Sequence, residues 1–297
     1  MTVLVLPFLD ALARDLVRAE EGLAVDFSRP AGEAALVPPD SVSWRIFRNP
    51  VALFVGGVAA VILELADPAV RTGVWEHTSF RGDPVTRLRR TGLAAMVTVY
   101  GPRRTAEAMI ARIGRRHEAV RGRTPAGEAY TASDPALLVW VHATASFGFA
   151  EAYDRYVRPL GGEGFDRFYA EGRTSARLYG AVGAPLSRAA VAALIDGERE
   201  RLEASPIVFE FLDIMRRAPV FPAPLRPLQR LMIRAAVDLV PAWVRDRLGL
   251  GPALGLRPWQ RPLVRAAGAL ADRVMLPSSP AVQSCLRLGL PADYLYR

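Results

Sequence analysis

The chain holds 297 residues, 51% of them apolar and 23% charged, with 24 Gly, 24 Pro and a net charge of +8; it is too apolar for a disordered chain and long enough for one large domain or two small ones. All 38 basic residues are arginine and none is lysine, a bias of the kind a GC-rich genome imposes, so the positive charge does not by itself point to nucleic acid. The single cysteine, Cys285, excludes an intramolecular disulfide scaffold and fits a reducing, cytoplasmic setting.

A first helix is expected over 5–21; this segment has no basic residue ahead of its apolar stretch and carries Asp10 within it, unlike a secretory signal. Residues 22–48, rich in Pro, Gly and Ser, read as an irregular arm wrapping the first core helix. Four Asx-Pro pairs follow: Asn49-Pro50, Asp67-Pro68, Asp83-Pro84 and Asp134-Pro135. An Asx side chain accepts hydrogen bonds from the free amides of a helix start, and proline has no N–H to lose there, so each pair marks a helix N-terminus. Between such marks apolar residues recur at three and four, which predicts helices over 50–66, 68–76, 84–99, 104–121, 135–158, 163–179, 187–203, 206–217, 226–239, 241–247 and 258–275. No alternating β-branched run bounded by a hairpin turn is present, so the expected fold is all-α, a single multi-helix globular domain. The longest apolar run, Val51 to Leu63, is 13 residues, against roughly 20 for a bilayer span, and reads as a buried core helix. A proline-rich break at 218–226 leads into C-terminal helices expected to pack on the same core. The chain thus divides into an N-terminal helix and arm (1–43), a core (44–217) and C-terminal helices with a tail (218–297). The tail after Met275, with Pro277, Pro280, Pro291 and an aromatic end from Tyr294 to Tyr296, is expected along the surface.

Common catalytic signatures are missing: there is no phosphate-binding glycine loop, no G-x-S-x-G elbow, no H-E-x-x-H and no Cys-x-x-Cys. Only three histidines occur, His77, His117 and His142. His117 falls in the apolar stripe Met109, Ile110, Ile113 and Val120, with Gly114 one turn earlier on nearly the same face, where a missing side chain lets a flat body approach the backbone. His142 shares a face with Leu138, Ala145 and Phe149. Arg87, Arg90 and Thr91 fall at i, i+3 and i+4, a cationic face that runs into the apolar stretch Gly92 to Tyr100 and suits an anionic group, an oxygen-derived ligand or a propionate. The spacing leaves open two ways of holding iron: a non-haem triad of two histidines with Asp134 or Glu64, or a single axial histidine in an apolar haem pocket.

Three ordered blocks carry a resemblance: H-T-S-F-R-G-D-P-V-T-R-L-R-R-T from His77, R-R-H-E-A-V-R-G from Arg115, and Y-T-A-S-D-P-A-L-L-V-W-V-H-A-T from Tyr130. They are similar to the bacterial family that includes the rubber oxygenases and the fungal MpaB-type oxygenases, strongly over about 44–180. The resemblance implies globin-like helical packing around haem b, with His117 at the position of the proximal iron ligand and His142 supporting the pocket. Arg87 to Thr91 aligns with a distal Arg-x-x-Lys-Thr element, and Arg90 stands where that element has lysine. An arginine does not become a neutral ligand, so a closed state capped by a distal lysine does not carry over. For His77 a structural hydrogen bond at a helix end is expected.

The expected function is therefore a haem b-dependent oxygenase acting with O2 on a small apolar molecule, lipid, terpenoid or polyketide-like. Arg87, Arg90 and Thr91 would work on the oxygen side, His117 as the iron ligand, and His142 and Gly114 in the cofactor pocket, with Met96, Val97, Leu138 and Phe149 as apolar walls. The alternative is a helical protein that carries haem or lipid without turnover. Nucleic acid is not expected as a partner, because the arginines are dispersed rather than gathered with aromatics; peripheral membrane contact stays open.

Overall fold

The computed structural model describes residues 4–5 and 25–297. Its axis is a pair of apolar helices, α2 (Pro50–Ala66) and α6 (Pro135–Tyr156). Asn49 caps α2 by accepting from the Val51 and Ala52 amides, both at 3.1 Å. The two helices meet backbone to backbone at Gly56 and Gly148: a Cβ on Gly148 would stand 2.2 Å from the Gly56 carbonyl oxygen, so only glycine allows this crossing. Before the pair lies α1 (Val42–Phe47), a short helix inside the stretch expected to be irregular, capped by Ser41.

The other three Asx-Pro pairs also open helices. Asp67 accepts from the Val70 amide at 2.8 Å to start α3 (Pro68–His77), Asp83 from Thr86 at 3.2 Å to start α4 (Pro84–Tyr100), and Asp134 from Ala136 at 2.8 Å to start α6. Between α4 and α6 run α5 (Arg103–Ala119) and a hairpin absent from the expectation, β2 (Arg121–Arg123) antiparallel to β3 (Ala129–Thr131). Three-residue strands are too short to show alternation, and the hairpin closes because Gly122 leaves room for the Tyr130 ring.

The expected helix 163–179 is two helices, α7 (Gly161–Glu171) and α8 (Arg173–Leu178), broken at Gly172. The helix expected over 187–203 ends early, as α9 (Arg188–Gly197). Then α10 (Pro206–Arg217), α11 (Arg226–Leu239), α12 (Ala242–Arg247) and α13 (Arg261–Ala271) complete the shell around α2 and α6. The expected 258–275 helix gives way after Ala271 to β4 (Val274–Met275), which pairs in parallel with β1 (Leu4–Val5). Of the helix expected over 5–21, Val5 is therefore strand, and 6–21 lies outside the described residues.

The C-terminal tail is not a surface strap. It forms α14 (Pro280–Arg287), whose Ala281, Val282 and Cys285 are buried, and Leu295 and Tyr296 are buried beyond it. Burial follows from Arg287, whose guanidinium donates to the Glu33, Phe27 and Tyr100 carbonyls at 2.7 to 2.8 Å and so ties arm, α4 and tail together. The fold is all-α apart from these short strand pairs, and among the described residues no single helix is long and apolar enough to cross a membrane.

Candidate functional site

The half-buried polar side chains of this shell include Glu64 near the end of α2, Arg87 on α4, His117 on α5 and His142 on α6. Glu64 is the one charged residue of α2. Burial pushes its carboxyl up to about 7, against the pull of the Arg87 charge and of a hydrogen bond with Thr144. The Thr144 hydroxyl oxygen also lies 3.0 Å from both the Trp140 and Val141 carbonyls, which compete for its single proton.

Arg87 is braced within its own helix: its guanidinium donates to the Thr91 hydroxyl, which donates in turn to the Arg87 carbonyl at 2.9 Å. Desolvation lowers the pKa of Arg87 and Glu64 raises it, and a guanidinium stays charged through such a shift. The same charge reaches His117. Burial first, and Arg87 second, lower the His117 pKa, so the ring is held neutral at pH 7. Its Nδ1 is buried and has no hydrogen-bond partner. Ligating histidines commonly donate their second ring nitrogen to a carbonyl or carboxylate; no such partner is in place for Nδ1. Gly114, one turn before, is half-buried, and a Cβ there would meet nothing within 4 Å.

His142 stands apart electrostatically. Burial alone pushes its pKa down to about 4. Its ring lies against the break between α7 and α8, where a Cβ on Gly172 would sit 3.5 Å from Nε2. Nearby walls come from α4 and the α8 end, where Thr98 and Tyr179 share a hydrogen bond of 2.9 Å, and from Leu138, whose Cδ1 is 3.0 Å from where a Gly180 Cβ would be. Met96, Leu138 and Phe149 are half-buried, whereas Val97 is sealed in the core and offers no wall.

The structure thus brings together Glu64, Arg87, Thr91, Thr144 and His117. Arg90 and Thr91 are exposed, so only Arg87 of the three carries its charge into the core. His77 is exposed at the end of α3, and its expected helix-end hydrogen bond is not formed among the described residues. Asp134 spends its carboxylate capping α6. Among the described residues no three His, Cys, Asp or Glu side chains converge as metal ligands, so the two-histidine, one-carboxylate triad is not assembled.

A family model described as "ER-bound oxygenase mpaB/B'/Rubber oxygenase, catalytic domain" matches residues 44–272, more than half of the chain. No curated protein and no solved structure matches it.

Proposed function

Since the chain belongs to the mpaB and rubber oxygenase catalytic-domain family, we propose that it is a haem b-dependent oxygenase that acts with O2 on a small apolar molecule. The observation that carries the haem reading is His117: a neutral, half-buried imidazole with an orphaned Nδ1, beside a glycine with open space over it, and without the second and third ligands a non-haem iron would need. A lone histidine beside an open glycine face would suit a flat macrocycle better than a bare ion.

Haem, when bound, supplies the activation of dioxygen. His117 offers its lone pair because burial and the Arg87 charge both oppose its protonation. Arg87, braced by Thr91, presents a fixed positive charge inside the shell, where it stabilises developing negative charge more strongly than it would in water. Glu64, poised at about 7 beside Thr144, can hold or release a proton at its carboxyl oxygen near neutral pH. The half-buried Met96, Leu138 and Phe149 favour an apolar substrate.

Purified protein tests this in two readings. A Soret band and dioxygen uptake on adding an apolar substrate such as a terpenoid or fatty acid support the proposal. A Soret band with no uptake across such substrates favours a haem carrier, and a protein that stays colourless after haemin is added overturns the haem reading.

A further inference from the structure

Of the seven exposed large apolar side chains among the described residues, three fall on one short stretch at the other end of α6. Trp259 is 62% exposed, Leu263 50% and Leu270 55%. Leu263, exposed Ala266 and Leu270 follow at i, i+3 and i+7 along α13, and Trp259 lies four residues before Leu263 in the 3₁₀ turn that leads into it. They therefore form one ridge. The opposite face is fixed to the core: Val264 and Gly268 are buried, and a Cβ on Gly268 would be 2.2 Å from the Tyr156 carbonyl oxygen. The ridge is thus an apolar stripe on a firmly seated helix.

Its surroundings carry one sign of charge. From Arg247 to Ala271 the sequence has four arginines and no acidic residue, and exposed Arg273 follows. Exposed Asp246 lies just ahead of this stretch, and two further carboxylates beside it are tied up in ion pairs. Asp238 is held by Arg245 at 3.7 Å and Arg261 at 3.3 Å, and buried Asp272 by Arg48 at 2.9 Å and Arg158 at 3.3 Å. Exposed tryptophan and leucine flanked by arginines match a bilayer interface, where indole sits at headgroup depth, leucine enters the acyl boundary and guanidiniums meet lipid phosphates.

We propose that this ridge lays the protein on an anionic lipid surface, held by Trp259, Leu263 and Leu270 and steered by Arg257, Arg265 and Arg273. The attachment proposed is in the plane of the membrane; no single described helix is long and apolar enough to cross it. It is independent of the haem reading. The ridge rests on Tyr156, and Thr144 lies twelve residues back along the same helix, about 18 Å, so the ridge and the candidate site are carried by one helix.

Vesicle sedimentation with the full chain tests the proposal. The protein should pellet with vesicles of one part phosphatidylglycerol to two parts phosphatidylcholine, pellet weakly with phosphatidylcholine alone, and be released as salt rises. Trp259→Ser combined with Leu263→Ser and Leu270→Ser should weaken binding by about tenfold or more, and Arg257→Gln with Arg273→Gln by about fivefold per arginine. Both variants should keep the wild-type circular dichroism, since they alter exposed positions. Wild-type protein that stays in the supernatant with the anionic vesicles, or a serine variant that binds as the wild type does, overturns the proposal. So does a wild-type dimer in sedimentation velocity that the serine variant converts to monomer without any vesicle binding, which would make the ridge a contact between copies.

Discussion

Arg287 and His117 are polar groups in the same all-α shell, and they are treated in opposite ways. Each guanidinium nitrogen of Arg287 donates to a carbonyl, of Glu33, Phe27 or Tyr100, and one of them also reaches Ser284. His117 keeps a buried Nδ1 without a partner, beside a charged arginine that opposes its protonation. Saturation of the kind seen at Arg287 marks a group that serves the fold, because each missing hydrogen bond in a buried setting costs stability. Buried Trp140 Nε1 and Tyr169 OH also lack a partner; what sets His117 apart is the Arg87 charge that opposes its protonation and the open space over Gly114 beside it.

The contrast predicts where substitutions hurt. Arg287→Ala leaves three carbonyls without their donor and should cost about 3–5 kcal/mol in urea unfolding, the largest loss here. Gly148→Ala forces a Cβ against the Gly56 carbonyl where both neighbours are helix backbone and should cost about 3 kcal/mol by the same measure. His117→Ala should change unfolding by no more than about 1 kcal/mol, since it removes an unsatisfied nitrogen rather than a bonded one. A large loss from His117→Ala would mean that the ring is a structural element, and the comparison would fail.

Titration sharpens the same contrast. The Glu64 carboxyl is raised to about 7 from 4.5 in the folded protein, so the native state binds the extra proton. Its contribution to stability is full below about 4.5 and is lost as pH rises toward 7. His142 runs the other way: with its pKa pushed from 6.5 down to about 4, its contribution is full above 6.5 and is lost as pH falls toward 4. Thermal midpoints measured against pH should therefore fall less steeply between pH 5 and 7 for Glu64→Gln than for the wild type, and fall less on acidification for His142→Gln. Parallel curves for wild type and Glu64→Gln would show that the carboxyl is not held in its raised state.

Helix starts were the most legible part of the chain, because an Asx-Pro pair encodes a cap within two residues, and all four pairs open helices. The tail was illegible for the converse reason. Nothing near Arg287 in sequence announces that its partners are carbonyls of Phe27, Glu33 and Tyr100, so a proline-rich end reads as surface when it is core. The site was half legible. His117 was marked by its place in an apolar stripe, and Arg87 by its spacing. That Arg90 and Thr91 stay exposed depends on which neighbours cover α4, which spacing alone does not encode. Glu64 was visible as a carboxylate candidate, and its signal, a lone charge in a 17-residue apolar helix, was stronger than the metal-ligand reading given to it.

Haemin titration followed by absorption tests the central claim most directly. The wild type should take up haemin to saturation with a sharp Soret band, and His117→Ala, at an unchanged thermal midpoint, should lose that band. Wild-type protein that never saturates, or a His117→Ala variant with the same spectrum and affinity, would contradict the assignment of that imidazole to iron.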